Sequence, residues 1–338
     1  MTRALKIISA GPGVTVQDLG RPGYLAQGLS RGGAADRIAI YEGAALLGQS
    51  PTFAALEMAG MGVEFEATEE MRIALTGAPM RASCDGERLV WNATHTLPKG
   101  TRLSIGATEQ GTYGYLHVGG GLDTETFLGS KSTHLSARLG RPLASGETLN
   151  VGEDTQTDSG WTLNTDNRFS GGKVRIVPSL QTDMFATDDI ARFQATAFRR
   201  DTRGNRMGVR LTQDGHGFQS RAGLSVLSEV IVPGDIQVTG DGSPFVLLSE
   251  CQTTGGYPRI GSVLPSDLPR VAQARPGTNL SFHFVTLEEA VEIESRHQNH
   301  LKGLKSARRP LIRDPHQMAD LLAYELIGGV TSGNDDDE

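Results

Sequence analysis

Between Ala55 and Val118 turn residues interrupt the chain about every ten positions. The pieces left between them are GVEFEA (62–67), MRIALTG (71–77), RLVWNA (88–93), TRLSIGA (101–107) and GYLHVGG (114–120). Some alternate apolar with polar residues and others are short apolar runs. None has the length or period of a helix. Short segments at this spacing predict an all-β sandwich or barrel. Glycine supports the reading, because 43 of 338 residues are Gly against a background of roughly 7%, and so many glycines supply tight turns and backbone at positive φ.

A second β-rich stretch starts at KVRIVP (173–178) and runs to Val285. Between the two lies the polar run EDTQTDSGWTLNTDNRFSGG (153–172). The expected organisation is a first β domain over 1–155, a linker over 156–172, a second β domain over 173–287, and a helical extension over 288–338 that ends in the acidic tail GNDDDE. Helices are few. Asp36 reads as the N-cap of a helix reaching Leu47, with Gly48 as its stop. Residues 187–199 read as a helix followed by a strand, LEEAVEIESRHQNHLKGL (287–304) as a helix, and 314–327 as another.

The two halves echo each other. Glu57 precedes Gly62, VEFEA and IALTG (73–77). Glu229 precedes Gly234, DIQVT and VLLSE (246–250) at nearly the same spacing. A duplication would place two similar β domains side by side with a cleft between them.

The net charge of −7 speaks against a nucleic-acid partner. Two cysteines, Cys84 and Cys251, are too few for a disulfide framework. No apolar run nears the roughly 20 residues of a membrane span, so a cytoplasmic location is expected. There is no G-x-x-x-x-G-K-[ST], C-x-x-C or H-E-x-x-H. Gly28-Leu29-Ser30-Arg31-Gly32 matches G-x-S-x-G, but a nucleophile elbow needs a core strand before it and a helix directly after it, and the flanking sequence offers neither. His297 and His300, three apart on an expected helix, read as a solvated face rather than a metal site. His117 reads as a core histidine, and His134 stands alone.

Three clusters carry chemistry. Gln17, Asp18, Arg21 and Asp36 lie among glycines that let backbone N–H groups approach a ligand, and Arg21 offers a fork for a carboxylate or phosphate. Gln252, Thr253, Thr254 and Tyr257 surround the Gly255-Gly256 turn, with Asp267 downstream, and suit a small polar substrate. Arg203, Asn205, Arg206 and Arg210 offer several donors to an anion. Each cluster also has a structural reading: an Asp–Arg pair that rigidifies a loop, a β-turn with ordinary hydrogen bonds, and surface salt bridges.

Taken together, TVQDLGRPGY (15–24), SRGGAAD (30–36), LGSKST (128–133) with GRPLASGE (140–147), NRMGVRL (205–211) and QTTGGYPRIGSVLPSDLPRVAQ (252–273) resemble the allophanate hydrolase subunit 2, or KipI-antagonist, family, which includes C subunits of 5-oxoprolinase. The resemblance implies a mainly β fold of two cyclophilin-like β-barrel domains with a few flanking helices. It implies kinship with the carboxyltransferase part of biotin-dependent urea carboxylase. It also implies a B-type (KipI-like) and an A-type partner subunit, with which the complex opens 5-oxoproline to glutamate using ATP. In that frame Gln17, Arg21, Arg206, Gln252, Thr253, Thr254 and Tyr257 are expected to bind substrate. Asp18 and Asp36 are expected to position Arg21 or act as acid–base groups, and Asp267 to orient the Gln252–Tyr257 pocket. No metal is expected. Biotin enters only under the alternative that the chain is a carboxyltransferase component, and a non-catalytic KipI antagonist is the third reading. The chain departs from the family pattern at Pro178–Gln181, in a short loop between Thr133 and Gly140, at Ser249-Glu250-Cys251, and in the tail beyond about 303.

Overall fold

The computed structural model describes residues 3–312 apart from 222, 224 and 225. The helix expected over 314–327 and the acidic tail lie outside the described residues. The protein is mainly β, as the spacing of the segments predicts. In the first half the elements are β1 (Ala4–Ala10), β2 (Thr15–Gln17), α1 (Arg37–Leu47), β3 (Ala55–Ala59), β4 (Val63–Ala67), β5 (Met71–Gly77), β6 (Met80–Cys84), β7 (Glu87–Leu89), β8 (Thr94–Leu97), β9 (Arg102–Thr108), β10 (Tyr113–Val118) and β11 (Thr148–Asn150). They form a six-stranded sheet, β11-β1-β4-β9-β6-β7, packed on a five-stranded one, β2-β3-β10-β5-β8.

The two textures of the sequence now have a cause. Alternating VEFEA is β4, with one face buried and one half-exposed. The apolar runs MRIALTG and YGYLHV are β5 and β10, buried at every position. They lie in the sheet covered twice. One face meets the core of Leu5, Phe65, Ile73, Leu75, Leu103 and Leu116, and the other meets α1 and the second half. RLVWNA is not one strand. Pairing stops at Leu89, and Asn92 takes a left-handed φ of 57° while its amide bonds Leu163 O and Thr165 Oγ1 at 2.8 and 3.0 Å.

β12 (Trp161–Thr162) leads into the second half, which contains β13 (Gly172–Val177), α2 (Thr187–Ala195), β14 (Phe198–Asn205), β15 (Gly208–Thr212), β16 (Glu229–Val230), β17 (Asp235–Val238), β18 (Pro244–Leu247), β19 (Thr254–Gly255), β20 (Arg259–Val263), α3 (Leu268–Gln273) and β21 (Asn279–Phe284). Seven strands close a barrel in the order β13-β20-β17-β18-β15-β14-β21. Phe193, Phe198 and Phe282 pack together inside it at centroid distances of 4.9–5.7 Å. This core is continuous with Ala34, Ala39, Tyr113 and Tyr115 of the first half.

α4 (Leu287–Gly303) begins with a capping box, Thr286 and Glu289 each bonding the other's backbone N–H. It returns to the first half, where Leu301 and Leu304 pack with Ile38, Leu46 and Leu47 of α1. β22 (Arg309–Pro310) then pairs with β12. His117 is the expected core histidine. Its Nε2 lies 2.8 Å from Thr76 Oγ1, burial pushes its pKa down to about 3, and its ring lies against Gly43, where a β-carbon would come within 2.2 Å. Among the described residues no helix is long and apolar enough to cross a membrane.

Candidate functional site

Asp36 behaves as a cap should. It accepts from the backbone N–H groups of Ile38 and Ala39, and Gly48 closes α1 in the left-handed region at φ 70°. The loop ahead of α1 folds back on itself so closely that a β-carbon on Gly20 would sit 2.6 Å from Arg31 O, and one on Gly33 2.6 Å from Gly20 N. Both glycines have φ above 80°, so only glycine fits either place.

That tight loop presents Asp18 and Arg21 to the LGSKST segment. Asp18 is buried and gathers four donors: the N–H of Gly20 and of Lys131 at 2.7 Å each, and the hydroxyls of Ser130 and Ser132. It thereby fixes the loop over 130–132 rather than bonding Arg21 directly. Arg21 is 1% exposed. Its Nη2 donates to Ser132 O, but its Nη1 is buried with no hydrogen-bond partner. Burial pushes its pKa down, with Asp18 and Glu250 opposing. Beside it opens a cleft of about 210 Å³, also lined by Lys131, Thr133, Arg138 and Glu125. Three cations against one carboxylate give the lining a net positive charge, which favours an anion over a cation there. Leu128 and Arg138, in the segments bounding the cleft, hold left-handed φ angles of 50° and 56°, a conformation that costs energy outside glycine and recurs at ligand sites. Gln17 is buried and braces the same segment, its amide bonding Thr133 O at 3.0 Å.

The G-x-S-x-G match gains an unforeseen neighbour. Ser30 Oγ lies 2.9 Å from His134 Nε2, so His134 does not stand alone. Glu250 follows, 3.8 Å from Nδ1. The order is that of a hydrolase triad, but the proton is in the wrong place. Nδ1 accepts the N–H of Ala137 at 3.2 Å, and burial lowers the pKa of the ring. The neutral imidazole therefore carries its proton on Nε2 and donates to Ser30, whereas an activating base must accept there. At 3.8 Å Glu250 is too far from Nδ1 to reverse this. No helix follows Ser30 until Arg37.

Arg206 is spent on structure. Its Nε donates to Glu250 Oε1 at 2.6 Å, its Nη1 to Glu57 and its Nη2 to Gly33 O. Burial opposes its charge, but Glu57 and Glu250 outweigh that and raise its pKa. Glu57 also accepts from Tyr115 Oη at 2.6 Å, and Tyr115 Oη accepts from Asp36 N at 2.8 Å. Asp36 meets Arg168 Nε at 2.7 Å, and Arg168 grips Glu42 at 2.7 and 3.0 Å. This buried chain of ion pairs joins the halves. Asp36 is part of it and does not touch Arg21. Arg168 comes from the run that reads as a linker.

Gln252 and Thr254 are exposed and Tyr257 is 45% exposed. Their neighbour Cys251 is buried, and burial pushes its thiol up to about 12, which disarms it as a nucleophile. Asp267 does not orient them. Its carboxylate is taken by the backbone and guanidinium of Arg175. What ties the Gln252 segment to the Arg21 loop is the stretch just before it: Ser249 O accepts from Gly32 N at 2.9 Å, and Glu250 accepts from Ser136 N at 3.0 Å. Sequence reasoning missed Lys131, Arg138, His134 and Glu250 as neighbours of Arg21. The signal present was the LGSKST motif itself.

Residues 27–284 match the family model described as carboxyltransferase domain, subdomain A and B. The chain is 34% identical over 307 residues to the C subunit of 5-oxoprolinase from Escherichia coli and 29% identical over 305 residues to that from Haemophilus influenzae, covering 89% of this chain and 97% of each relative. Among solved structures it is similar to TTHA0988 (TM-score 0.77, 31% identity, 84% of this chain) and, in fold, to the urea carboxylase of Kluyveromyces lactis (TM-score 0.80, 22% identity, 93% of this chain). It spans 56% of the first of those two chains and 31% of the second. This mainly β chain belongs to the carboxyltransferase-domain family, among relatives that include the 5-oxoprolinase C subunits.

Proposed function

We propose that the chain is the C subunit of an ATP-dependent 5-oxoprolinase that converts 5-oxo-L-proline to L-glutamate in the cytoplasm, together with A-type and B-type subunits. The observation that carries the reading is the unpaired Nη1 of buried Arg21 beside a small cationic cleft. 5-Oxoproline is a small anion with one carboxylate, and a guanidinium with a spare N–H edge is its natural partner. In this reading Arg21 and Lys131 hold the carboxylate, Asp18 keeps both loops in place, and the exposed Gln252–Tyr257 segment meets the substrate or a partner subunit. ATP supplies the activation that an unreactive lactam needs. The residues of this chain orient the substrate and exclude alternative poses.

The test is glutamate release from 5-oxoproline and ATP by the three-subunit mixture, with each subunit omitted in turn. Release should require all three. Release without this chain would end the proposal. In the complete mixture Arg21→Ala should lower kcat/KM roughly 10- to 100-fold, the worth of a charge-assisted hydrogen bond, with most of the loss in KM. A B-type complex that forms but releases no glutamate would favour the biotin-dependent carboxyltransferase or regulator readings.

A further inference from the structure

A second cleft, of about 450 Å³, lies away from Arg21, where β13, α3, α4 and the 166–168 segment meet. Four arginines line it, Arg168, Arg175, Arg270 and Arg296, with His297 and His300 of α4 and the carboxylates Asp166 and Asp267. The hydrogen bonds already made decide what it can hold. Arg168 is fully engaged by Asp36, Glu42 and Asp166. Both oxygens of Asp267 are taken by Arg175, and Oε1 of nearby Glu294 by the N–H of Ser266.

Spare capacity is almost all on the donor side. Arg175 bonds Asp267 through Nε and Nη2 and leaves Nη1 open. Arg270 spends its two Nη groups on Asn167 and Gly171 and leaves Nε open. Arg296 forms neither a hydrogen bond nor an ion pair with the described residues. The Ser266 hydroxyl oxygen is buried with no partner. Of the two carboxylates that line the cleft, the one oxygen left over is Oδ2 of Asp166, and Oε2 of Glu294 beside it is also open. No group of three or more His, Cys, Asp or Glu among the described residues suits a metal ion.

We propose that this cleft is a second binding site, for a phosphate-bearing anion. A planar carboxylate would satisfy two of the open donors, whereas a tetrahedral phosphate presents oxygens to donors arriving from three elements at once. The cleft has about twice the volume of the one at Arg21, and Ile38 and Ile293 give it an apolar wall. This inference does not rest on the oxoprolinase reading.

The experiment is calorimetric titration of the full-length chain, without other subunits, at neutral pH and low salt, with inorganic pyrophosphate and with ADP. Arg296→Glu reverses a charge that no other group depends on, and Arg138→Glu does the same at the Arg21 cleft. Saturable binding of either probe is expected, weakened at least about tenfold by Arg296→Glu and unchanged by Arg138→Glu. Tighter binding of ADP would identify a nucleotide packed on the isoleucine wall, and equal binding a bare polyphosphate. No saturable binding of either probe overturns the proposal. So does weakening by Arg138→Glu alone, or binding indifferent to both changes.

Discussion

A single proton separates Ser30 from a catalytic serine. His134 and Glu250 stand where a triad would put them, yet the N–H of Ala137 holds the imidazole in the tautomer that donates to the serine. Ser30→Ala should therefore leave glutamate release by the complex within about twofold. It should cost about 1–2 kcal/mol of stability, because the Nε2–H of His134 loses its acceptor. Urea titration of the variant beside the activity assay measures both, and a thousandfold loss of turnover with unchanged stability would restore the nucleophile. Residues that act within a few positions of each other were legible. Asp36 caps α1 and Gly48 ends it because both effects are local. His134 was not legible as a partner of Ser30, because 104 residues separate them and only folding brings the LGSKST loop over Gly32. Asp267 misled for a similar reason: its neighbours in sequence are Gln252–Tyr257, but in space it belongs to Arg175.

Elements assert themselves at the seam between the halves. The Glu57–Arg206–Glu250 bridge ties β3 to the turn before β15 and to the loop after β18, with Glu57 and Glu250 each 1% exposed. Removing the cation leaves two buried carboxylates facing each other. Arg206→Ala should thus cost about 3–5 kcal/mol, and adding Glu57→Gln with Glu250→Gln should recover much of it. Chemical denaturation of the single and triple variants checks this, and a single-variant loss under about 1 kcal/mol would contradict the account. The sequence showed strands well because period-2 alternation is a property of one strand. It showed the seam poorly because an arginine in NRMGVRL looks the same whether it awaits a ligand or two glutamates.

For the molecule as a whole, the buried neutral histidines set the acid limit. The folded pKa of His117 lies near 3 and its unfolded value near 6.5, so the unfolded chain binds the extra proton first. The stabilisation is complete above about 6.5 and falls as pH drops toward 3, by about 1.4 kcal/mol per unit in between. His134, lowered by burial as well, adds in the same direction. Denaturation at pH 7 and pH 5 should show a loss that shrinks by roughly 2 kcal/mol in His117→Gln, and an unchanged loss would mean that other groups govern acid unfolding.

The seam has a consequence for how the chain is made. Asp36, Glu42 and Glu57 are early residues, and their cations lie 132, 126 and 149 positions downstream. The N–H groups of Thr112 and Tyr113 wait for the side chain of Gln273, 161 and 160 positions on. During synthesis the first half thus emerges with three carboxylates and the start of β10 committed to partners not yet translated. Its sheets can pair, but the face that carries α1 stays charged and hydrated until Arg168 and Arg206 leave the ribosome. The seam can therefore close only once Gln273 has been made.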